Sequence, residues 1–230
     1  MKSVLFWSVL ALSILGGTRQ ADAQKTKDQE YRHVIVTLTS GEKVEGYVKR
    51  GWHAESSHFK KSNYSFKMTP TPDAKETLKY TADDVQSIDY TEKYEDNPDG
   101  IRWEAHQLAL PSIANRYNTV RRLMCVEKVG ENATVYWWKA WDVTTDGRGT
   151  RRTLRTYYGI RFHDEGEEGD IVYTYMLVNS VLLKDKKPGL KEYYKNWFKG
   201  VEGKEHKKEA KTDVAWILDM YDAYLKSLAG

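Results

Sequence analysis

The segment Tyr136-Trp137-Trp138-Lys139-Ala140-Trp141 has the most chemistry to offer. Indole and phenol faces make platforms for sugar rings and anchors for protein interfaces. Alternation along a strand puts Tyr136 and Trp138 on one face, and Tyr157 and Arg155 join them if the next strand pairs in suitable register. Tyr136, Trp138, Arg155 and Tyr157 are therefore the candidate ligand-binding residues. The competing assignment sends Trp137 and Trp141 into a core and packs Trp138 under a C-terminal helix, since large aromatics are usually mostly buried.

Other reactive side chains give less. His53 and His58 stand in a polar stretch without a carboxylate at metal-site spacing, so both read as surface histidines. His163-Asp164-Glu165-Gly166-Glu167-Glu168-Gly169-Asp170 is an acidic loop that does not follow the EF-hand ligand order, and Arg148, Arg151 and Arg152 can neutralise it. Cys125 is the single cysteine and lies in the apolar run Leu123-Met124-Cys125-Val126, which marks a buried thiol rather than a nucleophile. The chain has no Gly-rich phosphate loop, no His-Glu-x-x-His and no Gly-x-Ser-x-Gly. No catalytic residue, metal ligand or cofactor is expected. Paired carboxylates for hydrolysis would depend on a spatial separation that sequence does not supply.

The chain has 230 residues, with 36 Lys+Arg against 33 Asp+Glu and a formal charge of +3. That balance lacks the concentrated basic footprint of a nucleic-acid binder. With 40% hydrophobic and 13% aromatic residues there is enough apolar surface for a core. Lys2, the apolar run Val4–Leu15, Gly16-Gly17 and Ala21-Asp22-Ala23 together read as a signal peptide over residues 1–23. The run is too short to span a bilayer. The expected product is exported, periplasmic or extracellular, and not stably inserted in a membrane once the leader is cleaved.

The elements that must position the aromatics follow from periodicity and turn signals. Residues 24–92 hold five short strands: His33–Leu38, Val44–Val48, Tyr64–Met68, Leu78–Tyr80 and Val85–Tyr90. So many short strands predict a small, strongly bent barrel-like sheet. Residues 93–118 read as a connector with an acidic start, in which Ile101–Leu110 fits a short helix or a strand. Val120–Val129, Ala133–Val143, Arg152–Phe162 and Ile171–Leu183 predict a four-stranded antiparallel meander within residues 119–230. One face of its second and third strands reads as core, the other as a decorated surface of aromatics and arginines. Its fourth strand is apolar on both faces, so it is central or covered. Leu190–Phe198 and Val214–Leu228 recur at helical spacing, with Thr212 a candidate N-cap for the second and a Gly- and Lys-rich linker, Val201–Lys211, between them. Lys184–Lys211 holds ten lysines against five acids and reads as a solvated face. The fold class is α+β, mostly β.

Val36-x-Leu38-x-x-Gly41-x-x-Val44-x-Gly46-x-Val48, closed by Asp84-Val85-x-x-Ile88, resembles the strand pattern of the Sm-like small barrel. No Asp-x-x-x-Asn loop follows Gly46, and Thr81-Ala82-Asp83-Asp84 stands where the RNA-binding members carry an Arg-Gly turn. The resemblance therefore implies the barrel shape and not RNA binding. The whole plan also resembles an uncharacterised exported (envelope) protein family of the Bacteroidota. That likeness rests on Gly41-Glu42-Lys43-Val44-x-Gly46 and on the helical tail Tyr193-Tyr194-x-x-Trp197-Phe198 with Ile217-Leu218-x-x-Tyr221-x-x-Tyr224-Leu225. It implies an envelope location and no activity. The leading expectation is a non-catalytic protein-interaction module whose partner is an envelope protein or a glycan. A carbohydrate-binding module using the aromatic face, and a hydrolase with an unrecognised site, are the alternatives.

Overall fold

The computed structural model describes residues 30–52, 65–92, 101–111, 117–147, 149–165, 170–175 and 187–229. Residues 1–29, with the expected signal peptide, His53 and His58, the acidic stretch 93–100 and the tip of the acidic loop at 166–169 lie outside the described residues. So does the far half of the fourth meander strand, 176–183. Among the described residues no helix is long and apolar enough to cross a membrane.

The fold is α+β and mostly β, with one ten-stranded sheet and three C-terminal helices among the described residues. The first five strands are β1 (Tyr31–Leu38), β2 (Lys43–Lys49), β3 (Ser65–Thr69), β4 (Leu78–Thr81) and β5 (Val85–Tyr90). They lie in the order β4-β3-β2-β1-β5, all antiparallel. Gly41 takes the turn between β1 and β2 with φ +86°. Gly46 has a packing reason: a Cβ there would sit 2.8 Å from Met68 Cγ and from the Thr69 carbonyl.

Residues 102–111, within the stretch read as a connector, form β6 (Arg102–Pro111). β7 (Tyr117–Val129), β8 (Ala133–Asp146) and β9 (Gly149–Phe162) follow as an antiparallel meander, and β10 (Ile171–Thr174) returns. β10 pairs antiparallel with β9 and parallel with β6, so β6 to β10 close into a five-stranded barrel. Closure buries β10 on both faces, as its apolar sequence requires. Side chains fill the interior: Leu108, Leu110, Met124, Tyr136, Trp138, Ala140 and Val172 form one buried cluster.

The outer wall of the barrel carries two further cores. Trp103, Ala105, Leu123 and Cys125 pack against Val34, Val36, Val48, Phe66 and Ile88 of the N-terminal strands. Burial, with the Glu127 carboxylate behind it, pushes the Cys125 thiol up, as suits a structural cysteine. On the opposite wall Val135, Ile160, Phe162 and Tyr173 pack under α1 (Leu190–Trp197) and α3 (Trp216–Ala229). Lys187 is buried there, joined to Asp164 and lying over the Phe162 ring at 5.1 Å.

Two local expectations are corrected. The expected linker at 201–211 is a helix, α2 (Glu202–Thr212), because its Glu, Lys and Ala residues are strong helix formers. Gly203 signals close approach there, since a Cβ would lie 2.2 Å from the Phe198 carbonyl carbon. Thr212 caps nothing: its hydroxyl donates to the Glu209 carbonyl at 3.1 Å, while Asp213 accepts from the Ala215 N–H at 2.7 Å.

Gly159 is the tightest point of barrel closure. A Cβ there would lie 2.7 Å from Val172 Cγ1 and 2.9 Å from the Tyr173 carbonyl of β10. Gly159→Ala is expected to cost about 1–3 kcal/mol through overpacking. The readout is a lowered urea midpoint at unchanged slope. An unchanged midpoint would mean that β9 and β10 do not meet there.

Candidate functional site

β6 builds the site because one of its edges changes partner halfway along. β5 pairs with Arg102, Trp103 and Glu104, whereas β10 pairs with Gln107, Leu108 and Ala109. Ala105 and His106 lie in the fork between them. Alternation along β6 then sends Glu104 and His106 to the barrel's inner side, on the face of Leu108 and Leu110. Aspartate 170, immediately before β10, stands in the fork itself, with its carbonyl accepting from the Gln107 N–H at 2.9 Å. The result is a cleft of about 390 Å³ lined by Gln86, Ser87, Arg102, Glu104, His106, Arg121, Arg161 and Asp170.

Hydrogen bonds inside the cleft form one network. His106 Nδ1 meets Asp170 Oδ1 in a short contact, and His106 Nε2 lies 3.0 Å from Glu104 Oε2. The Tyr136 hydroxyl donates to the same Glu104 oxygen at 2.7 Å. Arg102 Nε donates to Glu104 Oε1 at 2.8 Å, and its other arm donates to Asp89 at 2.9 Å. Arg121 donates to Asp170 Oδ2 at 3.2 Å and to the Ala82 carbonyl at 2.9 Å, tying the β4–β5 turn to the fork. With a carboxylate oxygen at each ring nitrogen, His106 is an imidazolium donating on both sides.

These contacts set the charge states. Burial alone would raise the Glu104 pKa, but donation from His106, Tyr136 and Arg102 outweighs it and holds the carboxyl at about 2. Burial would lower His106, but the hydrogen bonds to Asp170 and Glu104 raise it above its ordinary value. Tyr136 is pushed up by burial and then by the adjacent Glu104 charge. Arg161, on the same inner face of β9, lies beside Tyr136 and His106. Its Nε is buried and has no acceptor among the described residues.

The four residues singled out from the sequence do share a face, because β8 and β9 pair with Trp138 opposite Tyr157 and Ala140 opposite Arg155. That face is not the decorated surface expected of it. Barrel closure turns it inward, leaving Tyr136 at 0% and Trp138 at 2% exposure. Trp138 stacks on Tyr157 with ring centroids 6.0 Å apart. Tyr157 is half-buried and donates to Asp142, while Arg155 is exposed and pairs with Asp142 at 3.0 Å. Of the four, Tyr136 reaches the cleft, through Glu104 and His106.

Glu104, His106, Arg121, Arg161 and Asp170 were not singled out. The available signal was Glu104-x-His106-x-Leu108-x-Leu110, which puts two ionisable groups on one face of an apolar strand. Reading 101–110 as helix or strand hid it. Among the described residues no group of three His, Cys, Asp or Glu has metal-holding geometry. No family model matches this sequence, and neither a curated protein nor a solved structure matches it.

Proposed function

We propose that the protein is an exported envelope protein that binds its ligand without transforming it, and that the cleft in the fork of β6 is the binding site. One observation carries this reading: the cleft's acid–base groups are saturated by one another. A general base needs a lone pair to offer and a pKa near the working pH. Both nitrogens of His106 face carboxylates, and Glu104 is held far below neutrality. Neither arrangement provides a poised catalyst. A rigid, satisfied network in a concave site does suit recognition. Export is supported by the leader-like residues 1–23 and by the likeness to Bacteroidota envelope proteins. An envelope protein or a glycan presenting a group that fits the cleft is the partner class.

The test places a photo-crosslinking side chain at Gln86, an exposed lining residue, in the full chain expressed with its leader. Lys67, exposed on β3, carries the same group as the control. A defined adduct from position 86 and none from position 67 is the expected result. Turnover of chromogenic ester or glycoside substrates that disappears in His106→Ala would overturn the reading in favour of a hydrolase.

A further inference from the structure

Building on the cleft as binding site, we infer that it recognises a small oxyanion, a carboxylate or a phosphate group, seated on Arg161. The charges in and around the fork do not balance. Among the described residues, Arg102, Arg121, Arg161 and the imidazolium of His106 face Asp89, Glu104 and Asp170, one positive charge in excess, and the buried Arg122 opposite His106 on β7 adds a further cation. Every carboxylate oxygen of Glu104 and Asp170 already accepts a bond from another residue. Arg161 is the cleft-lining arginine that none of these carboxylates takes up. Among the described residues no carboxylate pairs with it, and its buried Nε lacks an acceptor.

A cation half-withdrawn from water without a counter-charge is costly, and an incoming anion removes that cost. A guanidinium fork offers two parallel donors to a planar carboxylate or to a phosphate, whereas a neutral hydroxyl gains only ordinary hydrogen bonds. Arg161 also projects beside Tyr136 and donates to its hydroxyl, a neutral acceptor that supplies no counter-charge to the guanidinium. The cleft's volume of about 390 Å³ exceeds one oxyanion and admits the single sugar ring or short linker that carries it. Two sources share this chemistry, a phosphoryl group and an acidic sugar.

The experiment titrates the full chain calorimetrically with inorganic phosphate, with glucuronate and with glucose, at constant ionic strength. Arg161→Gln is compared with Arg151→Gln, an exposed arginine outside the cleft. Saturable binding of phosphate or glucuronate, none of glucose, and a loss of about tenfold or more in Arg161→Gln alone is the expected pattern. Which probe binds more tightly identifies the source. If Arg161→Gln fails to fold, as judged by its circular dichroism, Arg161→Lys replaces it. That variant keeps the charge and loses the fork, so weakened binding supports the inference and unchanged binding overturns it. Absence of saturable anion binding, or binding unaffected at Arg161, also overturns it. A crosslinked adduct at position 86 in that case leaves the binding reading standing, and loss of both removes the cleft as a site.

Discussion

Trp138→Ala will lower the unfolding free energy by about 3–5 kcal/mol, the cost of emptying a large aromatic site in a core. The indole sits at the middle of the barrel, 2% exposed, stacked on Tyr157 and packed among Leu108, Met124 and Val172. Its ring also fills the space left by Gly159, coming within 3.2 Å of a Cβ built there. Truncation therefore removes the packing that seats β10 against β9, where Tyr173 and Thr174 are the residues in register. Neighbouring strands cannot collapse into the gap, because their backbones are fixed by the ring of hydrogen bonds. Urea unfolding followed by far-UV circular dichroism measures the loss, and Trp138→Phe should recover part of it. A cost below about 1 kcal/mol would mean that the ring is at the surface and that the inner face is available as a sugar platform.

Acid will strip the polar cleft of its contribution to stability. The Glu104 carboxyl is held at about 2 against its ordinary 4.5, so the folded state binds its proton less readily than the unfolded chain. A depressed carboxyl stabilises fully above the unfolded pKa and loses that contribution as pH falls through the folded one. The window is from about pH 4.5 down to about 2. By linkage the loss is on the order of 3 kcal/mol for a side chain mostly withdrawn from solvent. His106 behaves in the opposite sense. Its pKa is raised, so its contribution is present below the unfolded value and fades as pH rises through the folded one. Urea midpoints from pH 2 to 5 should therefore climb steeply in the native chain and much less in Glu104→Gln. Equal slopes in the two proteins would show that Glu104 is not held by His106, Tyr136 and Arg102.

What could be read from the chain alone was whatever repeats over a few residues. Val34, Val36 and Leu38 alternate, Gly41 breaks the run and Val44 to Val48 resumes it, so β1 and β2 follow without any distant partner. The hairpins from β7 to β9 are local in the same sense, since each strand pairs with the next. The faces of α1 and α3 were legible because helical spacing alone defines them. Alternation also separated the two faces of β8 correctly.

It could not say which of those faces turns inward, because inside and outside do not exist until the ring closes. Closure depends on β10 lying parallel to β6, with Val172 opposite Leu108, a contact between segments far apart in sequence. Such a contact leaves no periodic trace. The cleft is further removed, since it exists only where β5 and β10 part along one edge of β6. Glu104 and His106 are two residues apart, but Arg161 at the end of β9 and Asp170 just before β10 reach them from far along the chain. Local periodicity therefore determined β1, β2, the β7–β9 hairpins and the apolar faces of α1 and α3, but not β6 or α2. The tertiary structure alone decided that Trp138 is core and that six charged residues meet, because burial and charge pairing are properties of distance and not of sequence spacing.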